Sequence, residues 1–491
     1  MKNKKSILRP TLLIVFLLLA AIGAEAASLT VNTTADAGTG SLRQALIDAT
    51  TNAEANVVTF AIPTTEPGYN AGTNNFTISL LNQLPNFPLA PITFDNSMPQ
   101  TLTVMGNGGF RIFTFVNSAV VTLNRIIVTN GFSSTQGGGI FMGNSAILNL
   151  NGSKITNNTA AGEGGGIYMS NSGTIHSRDS TISDNNAGNG GGIYIFDSGT
   201  LNLNTSTINN NTASESGGGV YNGISGTINA VNNTIDGNSA AGSGGGLYNA
   251  ATITFTNNTV TSNSAGSGGG IYNNFTATLT NNLVALNSAS DGPDLLGRGS
   301  VGSAFVGTYN LIGNADGSEG LAGAPNRVGT TGNEIDPFIG PLQNNGGLTS
   351  TRALLAGSPA IDKGNSPGIT TDQRGSIRPV DNPFISNDGG DGSDIGAFEA
   401  GILTTTAASV EISGRVLTSD GNGLRNAQVW ITDSDGTRKT VITSSLGYYS
   451  FTDVEAGNFY ILGVASKRYR FETRAVSASD SIANFDFMAQ E

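Results

Sequence analysis

The chain has no cysteine, a single histidine and a single tryptophan in 491 residues. Without Cys, neither a disulfide framework nor a thiolate metal centre can be built. With His176 alone, no histidine cluster can hold a catalytic zinc ion. Charge is also scarce, at 12% of residues against roughly 25% in ordinary soluble domains, and the balance is acidic at -12. An acidic surface repels nucleic acid and anionic lipid, so neither is an expected partner. After the first 26 residues there is no apolar run of membrane-spanning length. What is abundant is Gly, at 68 residues, and Asn, at 55. Both are poor helix formers, so a bundle or coiled coil is excluded. The Gly residues lack the three-residue period of collagen.

Residues 1–26 have the layout of a signal peptide. Lys2, Lys4, Lys5 and Arg9 precede an apolar run from Leu12 to Ile22, and Ala24-Glu25-Ala26 supplies the small-x-small cleavage site. The expected location is therefore extracellular or at the cell surface.

A repeat dominates the middle. A Gly triplet followed by an aliphatic and an aromatic begins at Gly137, Gly164, Gly190, Gly217, Gly244 and Gly268, with spacings of 27, 26, 27, 27 and 24. In step with it runs aliphatic-x-x-Asn, ending on Asn130, Asn158, Asn185, Asn211, Asn238, Asn263 and Asn287. Aligning on these Asn residues gives one inward column at Val120, Leu148, Ile175, Leu201, Ile228, Ile253 and Ala277. A second lies two residues on at Thr122, Leu150, Ser177, Leu203, Ala230, Phe255 and Leu279. The offset of two is strand alternation. No unit of 24–28 residues has enough apolar surface to fold alone, so like must stack on like. The expected fold is all-β: a right-handed parallel β-helix over 27–400, with the Asn column hydrogen-bonding internally as stacked amides do. Ser41 and Gln44 form a capping box for a short helix. Its face of Leu42, Ala45, Leu46 and Ala49 would close the N-terminal end.

The paired GGGI-Y and I-x-x-N motifs resemble the repeats of polymorphic outer-membrane proteins and, more widely, bacterial right-handed β-helix surface proteins. Residues 335–399 carry Asn345-Gly346-Gly347, Ser358-Pro359-Ala360-Ile361-Asp362, Asp372-Gln373-Arg374-Gly375 and Asp394-Ile395-Gly396-Ala397. They resemble the choice-of-anchor Q domain and are expected to form the last rungs and cap of the solenoid, with Arg374 and Asp394 as a structural ion pair. A linker over 401–409 leads to 410–491, where short alternating runs are separated by Asp420-Gly421, Asp435-Gly436 and Ala456-Gly457. That pattern predicts a small β-sandwich. The segment resembles the carboxypeptidase regulatory-like fold, an accessory domain that implies no peptidase activity.

Three features bear on function. The aromatics after the triplets, Phe141, Tyr168, Tyr194, Tyr221, Tyr248 and Tyr272, fall on the outside or at a corner. They read either as a stack that shields the backbone or as a flat strip that docks a glycan or a protein. Asp388, Asp391 and Asp394 share an oxygen-rich loop, read either as a solvated turn or as a Ca²⁺ site. The acids of the repeat (Glu163, Asp179, Asp184, Asp197, Glu215, Asp236, Asp291 and Asp294) form no recurrent pair, and its only cations are Lys154 and Arg178. A β-helix polysaccharide lyase or glycoside hydrolase is thus the alternative to a non-catalytic surface protein, not the first reading.

Overall fold

The computed structural model describes residues 27–51, 54–87, 90–298, 304–323, 325–401, 409–433, 436–478 and 480–490. The signal-peptide segment 1–26 and nearly all of the expected linker lie outside them. Two compact units are present, 1–401 and 402–491.

The first unit is a parallel solenoid. One rung runs through Ile140–Met142, Ile147–Asn151, Lys154–Thr156 and Thr159–Ala160. Each strand pairs in parallel with its counterpart one rung on, so that Ile147–Asn151 lies against Thr174–Arg178. Repetition builds three long sheets: sheet 1, which contains Ile147–Asn151, with eleven strands, sheet 2, which contains Lys154–Thr156, with twelve, and sheet 3, which contains Ile140–Met142, with eight, plus a five-stranded strip that contains Thr159–Ala160. The inward positions of all three merge into one core that includes Leu148, Ile155, Ile167, Ile228, Val260 and Leu295. At the N-terminal end the helix Leu42–Thr50 buries Leu42, Ala45, Leu46 and Ala49. Ser41 Oγ accepts the Gln44 N–H, but the Gln44 side chain turns to Asp48 instead of closing the capping box.

The corners explain the composition. At the turn from sheet 1 to sheet 2, one residue per rung adopts positive φ (Asn232, Asn257 and Asn281 among them), and at the next corner another does (Asn157, Asp184 and Asn210). The residue after each is buried, and its side chain hydrogen-bonds along the rod. From Asn158 to Asn287, each amide nitrogen Nδ2 donates to Oδ1 of the next asparagine at 2.9–3.0 Å. Each Nδ2 also reaches a carbonyl of the preceding rung, as Asn238 does to Ile208 at 3.0 Å. Satisfying buried amides this way avoids a penalty of about 1–3 kcal/mol per group. The Gly triplets stand beside this ladder. The first Gly has positive φ, and a Cβ on the third would sit against the ladder amide, as at Gly166 beside Asn185.

Asn130 is not in the ladder. It has positive φ and donates to Gly106 O, and the ladder position on its rung is Gly131, whose N–H goes to Asn158 Oδ1. Alignment on Asn slips here by one residue: Val128, not Ile127, pairs with Ile155. The same slip displaces the sheet 1 columns, where Leu148 pairs with Val121 and Leu150 with Leu123, in place of Val120 and Thr122. A second buried ladder, Asn233–Asn258–Asn282–Asn310, follows the other positive-φ corner, and a shorter third joins Asn222, Asn249 and Asn273.

Residues 337–400 do not form terminal rungs or a cap. They make a strap that turns back along the outside of sheet 2. After the hairpin Ile339–Gln343/Thr351–Leu354, Thr349 Oγ1 donates to Thr205 O and Thr207 Oγ1 to Ser350 O. Further along, Thr234 Oγ1 donates to Gln373 and the Ala397 N–H to Thr259 Oγ1. The outward column of sheet 2 changes accordingly. Lys154 is exposed and Thr181 half-buried, whereas Thr207, Thr234, Thr259, Leu283 and Leu311 are buried. Leu283 and Leu311 join Ala360 and Ile395 in a separate apolar cluster.

The second unit packs a three-stranded and a four-stranded sheet around Ile412, Val416, Val429, Leu462 and Phe487. Gly421, Gly436 and Gly457 take positive φ at its turns.

Candidate functional site

The Tyr column occupies the outward position of sheet 3. Its register is continuous, with Phe141 against Tyr168, Tyr194 against Tyr221 and Tyr248 against Tyr272. Ile, Val or Leu on one side of each aromatic and Ile, Met or Asn on the other point inward. The rings are parallel within 6–17°, with centroids 5.3, 5.6, 4.7, 4.6 and 5.2 Å apart. Those separations lie at the close end of the offset-stacking range, so each ring overlaps its neighbour. The strip is therefore not a row of open faces. It is a ridge of ring edges and hydroxyls, roughly 24 Å long at a rung spacing near 4.8 Å.

The ridge is closed at one end by Arg111, whose guanidinium lies 4.8 Å from the Phe141 ring and donates to Gly137 O. At the other end the column passes to Leu296, paired with Tyr272. Tyr168 is buried and the other rings are half-buried. Burial, followed by the charge of Glu163, pushes the Tyr168 and Tyr194 phenols up to about 12. Tyr221 is pushed higher still, by burial and then by Tyr248. These hydroxyls stay protonated and can donate hydrogen bonds throughout the physiological range. Tyr248 OH accepts from Asn274 Nδ2 at 3.0 Å.

Beside the ridge, the turns leading to sheet 1 expose Phe196, Ile224 and Phe275 at 50%, 82% and 52%. Phe196 leans towards Tyr168 with centroids 6.5 Å apart. The residue pattern after the triplets did not bring out these three, because they do not share one place in turns whose other residues are mostly small or polar, so no apolar column recurs.

The acids do not assemble. Asp236 is buried under the strap against Arg352 Nε at 2.7 Å, and burial raises its pKa. Asp294 occupies the third-glycine position of a seventh, degenerate triplet that starts at Gly292. It takes both the N–H and the Nδ2 of Asn287, and burial lifts its carboxyl to about 6. Asp179 accepts from Thr205, Glu215 from Asn189, and Asp291 pairs with Arg298. Glu163 and Asp197 are half-buried, while Asp184, Lys154 and Arg178 are exposed. His176 is exposed beside Asn202.

The loop carboxylates also diverge. Asp388 pairs with Arg327 and Lys363, Asp391 accepts from Ser366 and Ser393, and Asp394 turns inward to the Asp362 and Ala400 N–H groups. They form no joint coordination site, and no group of three or more acids or histidines fit for a metal ion occurs among the described residues. Arg374 pairs with Asp372 at 2.7 Å rather than with Asp394. The buried ion pair of the strap is Arg378–Glu399 at 2.7 Å. Glu399 also accepts the Val380 and Asp394 N–H groups, and Arg378 donates to Gly396 O. The motif residues of this segment thus fix the strap. Gln373 is wedged between Thr207, Thr234 and Thr349.

In comparisons with known proteins, residues 113–289 match the family model of a right handed beta helix region. Residues 411–487 match that of a carboxypeptidase regulatory-like domain. No curated protein and no solved structure matched the chain. No helix among the described residues is long and apolar enough to cross a membrane.

Proposed function

We propose that this is a secreted or cell-surface structural protein of adhesin type. In this reading it is non-catalytic, and its rigid β-helix presents the aromatic ridge to a glycan or a protein. A right-handed β-helix joined to a carboxypeptidase regulatory-like domain fits a surface or structural protein. The observation that carries the reading is the unbroken Tyr stack, with Phe196 leaning on it and Ile224 and Phe275 exposed in the turns that follow the same sheet. Rings held by their neighbours lose little entropy on binding, and their hydroxyls stay available as donors. The buried acids are engaged by backbone, amide or arginine partners, which supports binding rather than hydrolysis. The leader-like first 26 residues support export.

The test is a glycan and surface-protein array probed with the full chain and with a Phe196→Ser/Ile224→Ser/Phe275→Ser variant. The turn residues contribute little to the core, so the variant should fold normally and lose its ligand. Equal capture of both proteins refutes these turns as part of the binding surface, and equal capture by a Tyr194→Ser/Tyr221→Ser/Tyr248→Ser variant refutes the ridge. Release of new reducing or unsaturated ends from an acidic polysaccharide would support the enzymatic alternative.

A further inference from the structure

Cations are distributed unevenly in this acidic chain. Every ion pair among the described residues lies in the solenoid unit: Arg43, Arg178, Arg298, Arg327, Arg352, Lys363, Arg374 and Arg378 each hold a carboxylate. The second unit has eight of the 23 Lys and Arg residues, and among the described residues none of them pairs with a carboxylate. Three of the eight converge. Arg425, Lys467 and Arg468, all exposed, line an open cleft of about 670 Å³ together with Asn426, Gln428 and Tyr469. No carboxylate lines it. The turn that bears Arg425 and the turn that bears Lys467 and Arg468 are held side by side by the strand pairing of Gln428 with Ala465.

The cleft continues onto an aromatic surface. Gln428 and Trp430 share the outward face of one strand. Trp430 pairs with Gly463, and its ring lies across that glycine where any Cβ would collide with it. Arg438 lies over the other face, 4.0 Å from the ring. Its Nε donates to Thr432 Oγ1, and among the described residues it holds no carboxylate. A guanidinium stacked in this way is pre-oriented to offer its remaining N–H groups to an oxyanion.

We infer that this cleft of the second unit binds an anionic polysaccharide, a polyhydroxylated chain that carries carboxylate or sulfate groups. Unpaired cations meet the charged groups, and Asn426, Gln428, Ser466 and Tyr469 supply partners for ring hydroxyls. Single-stranded nucleic acid is the poorer match. It calls for a long cationic track with several stacking aromatics, whereas this cleft offers one Tyr in a chain of charge -12. The site is independent of the aromatic ridge of the solenoid.

Trp430 is the only tryptophan, so its fluorescence reports on this unit alone. The full chain is titrated with polygalacturonate, dextran sulfate, neutral dextran and a single-stranded DNA oligomer. Either anionic polysaccharide should change the Trp430 emission, with affinity falling as salt rises, and neutral dextran should not. Which of the two anionic polymers binds tells carboxylate from sulfate. An Arg425→Ser/Lys467→Ser/Arg468→Ser variant, whose changes are all on the surface, should keep its melting curve and lose about tenfold or more in affinity. Lys154→Ser, which removes an exposed cation of the solenoid away from both ridge and cleft, should leave this binding intact. The inference is overturned by equal affinity of the triple variant, by tighter binding of DNA, or by an equal loss of polysaccharide binding in Lys154→Ser.

Discussion

Sheets 2 and 3 share the same rungs and the same inward aliphatics, yet their outer faces have opposite fates. On sheet 2, outward Thr and Leu are covered by the strap; on sheet 3, outward Tyr residues cover one another. The strap joins its face through side-chain hydrogen bonds and the Arg352–Asp236 ion pair, and the buried Arg378–Glu399 pair holds the strap itself together, each with a single geometry. The Tyr ridge is built from like contacts repeated at every rung. In this solenoid the outward residue type thus goes with how a face is covered: by another chain segment or by its own stacked side chains. The first kind of face fails at one point; the second degrades in small steps.

The most damaging test of that contrast is Arg378→Ala. It leaves Glu399 buried and uncompensated and should cost about 3–5 kcal/mol. The strap should become susceptible to proteolysis while the rungs upstream of Thr205, which it does not cover, keep their protection. A strap that stays resistant breaks the comparison. Tyr221→Ser should cost less, about 2 kcal/mol, from half-buried area and two stacking contacts. Thermal melting should show a modest shift, and a collapse comparable to Arg378→Ala would mean that the ridge is not modular.

Acidity separates the faces more gently. Burial, then the neighbouring Glu399 charge, raises the Asp394 pKa, and burial raises that of Glu399. The folded strap therefore holds a proton that the unfolded chain releases at ordinary carboxylate values near 4. Its stabilising contribution is complete below that value and declines as pH rises through the elevated folded values. Denaturation midpoints of the solenoid should fall from about pH 5 to about pH 9, and flat midpoints would contradict the assignment. The ridge tyrosines Tyr168 and Tyr194 should resist ionisation until about pH 12 in an ultraviolet titration. The smallest effect belongs to Phe196→Ser, within about 0.5 kcal/mol of the parent, with its consequence confined to ligand capture.

The solenoid was legible because its causes are periodic. The Gly triplets, the inward aliphatics and the Asn from Asn158 to Asn287 recur at the rung length. The strap was not, because its anchors (Gln373, Arg352 and Arg378) act once each and across more than a hundred residues. A signal was nonetheless present: the outward column of sheet 2 passes from Lys154 through Thr207 to Leu283, which a solvated face has no reason to do. The slip at Asn130 arose because the residue before the ladder is also favoured as Asn, there for its positive φ. The exposed Phe196, Ile224 and Phe275 escaped because the same turn positions on other rungs hold mostly Gly, Ser, Asn or Asp, so no column forms. The unpaired cations of the second unit could not be recognised without knowing which acids were already taken.

The principal amide ladder also has a direction. From Asn158 onward every Nδ2 points to the next rung, and the last, Asn287, gives its proton to Asp294, a carboxylate with nothing to pass on. The chain of donors thus has a terminator. A duplicated rung spliced in anywhere before Asn287 would inherit both a donor behind it and an acceptor ahead. One appended beyond Asp294 would meet a carboxylate that offers it no proton. Length along this ladder is therefore a matter of internal insertion: the sheets run on through Leu311 and Arg327, but this line of amides stops where Asn287 meets Asp294.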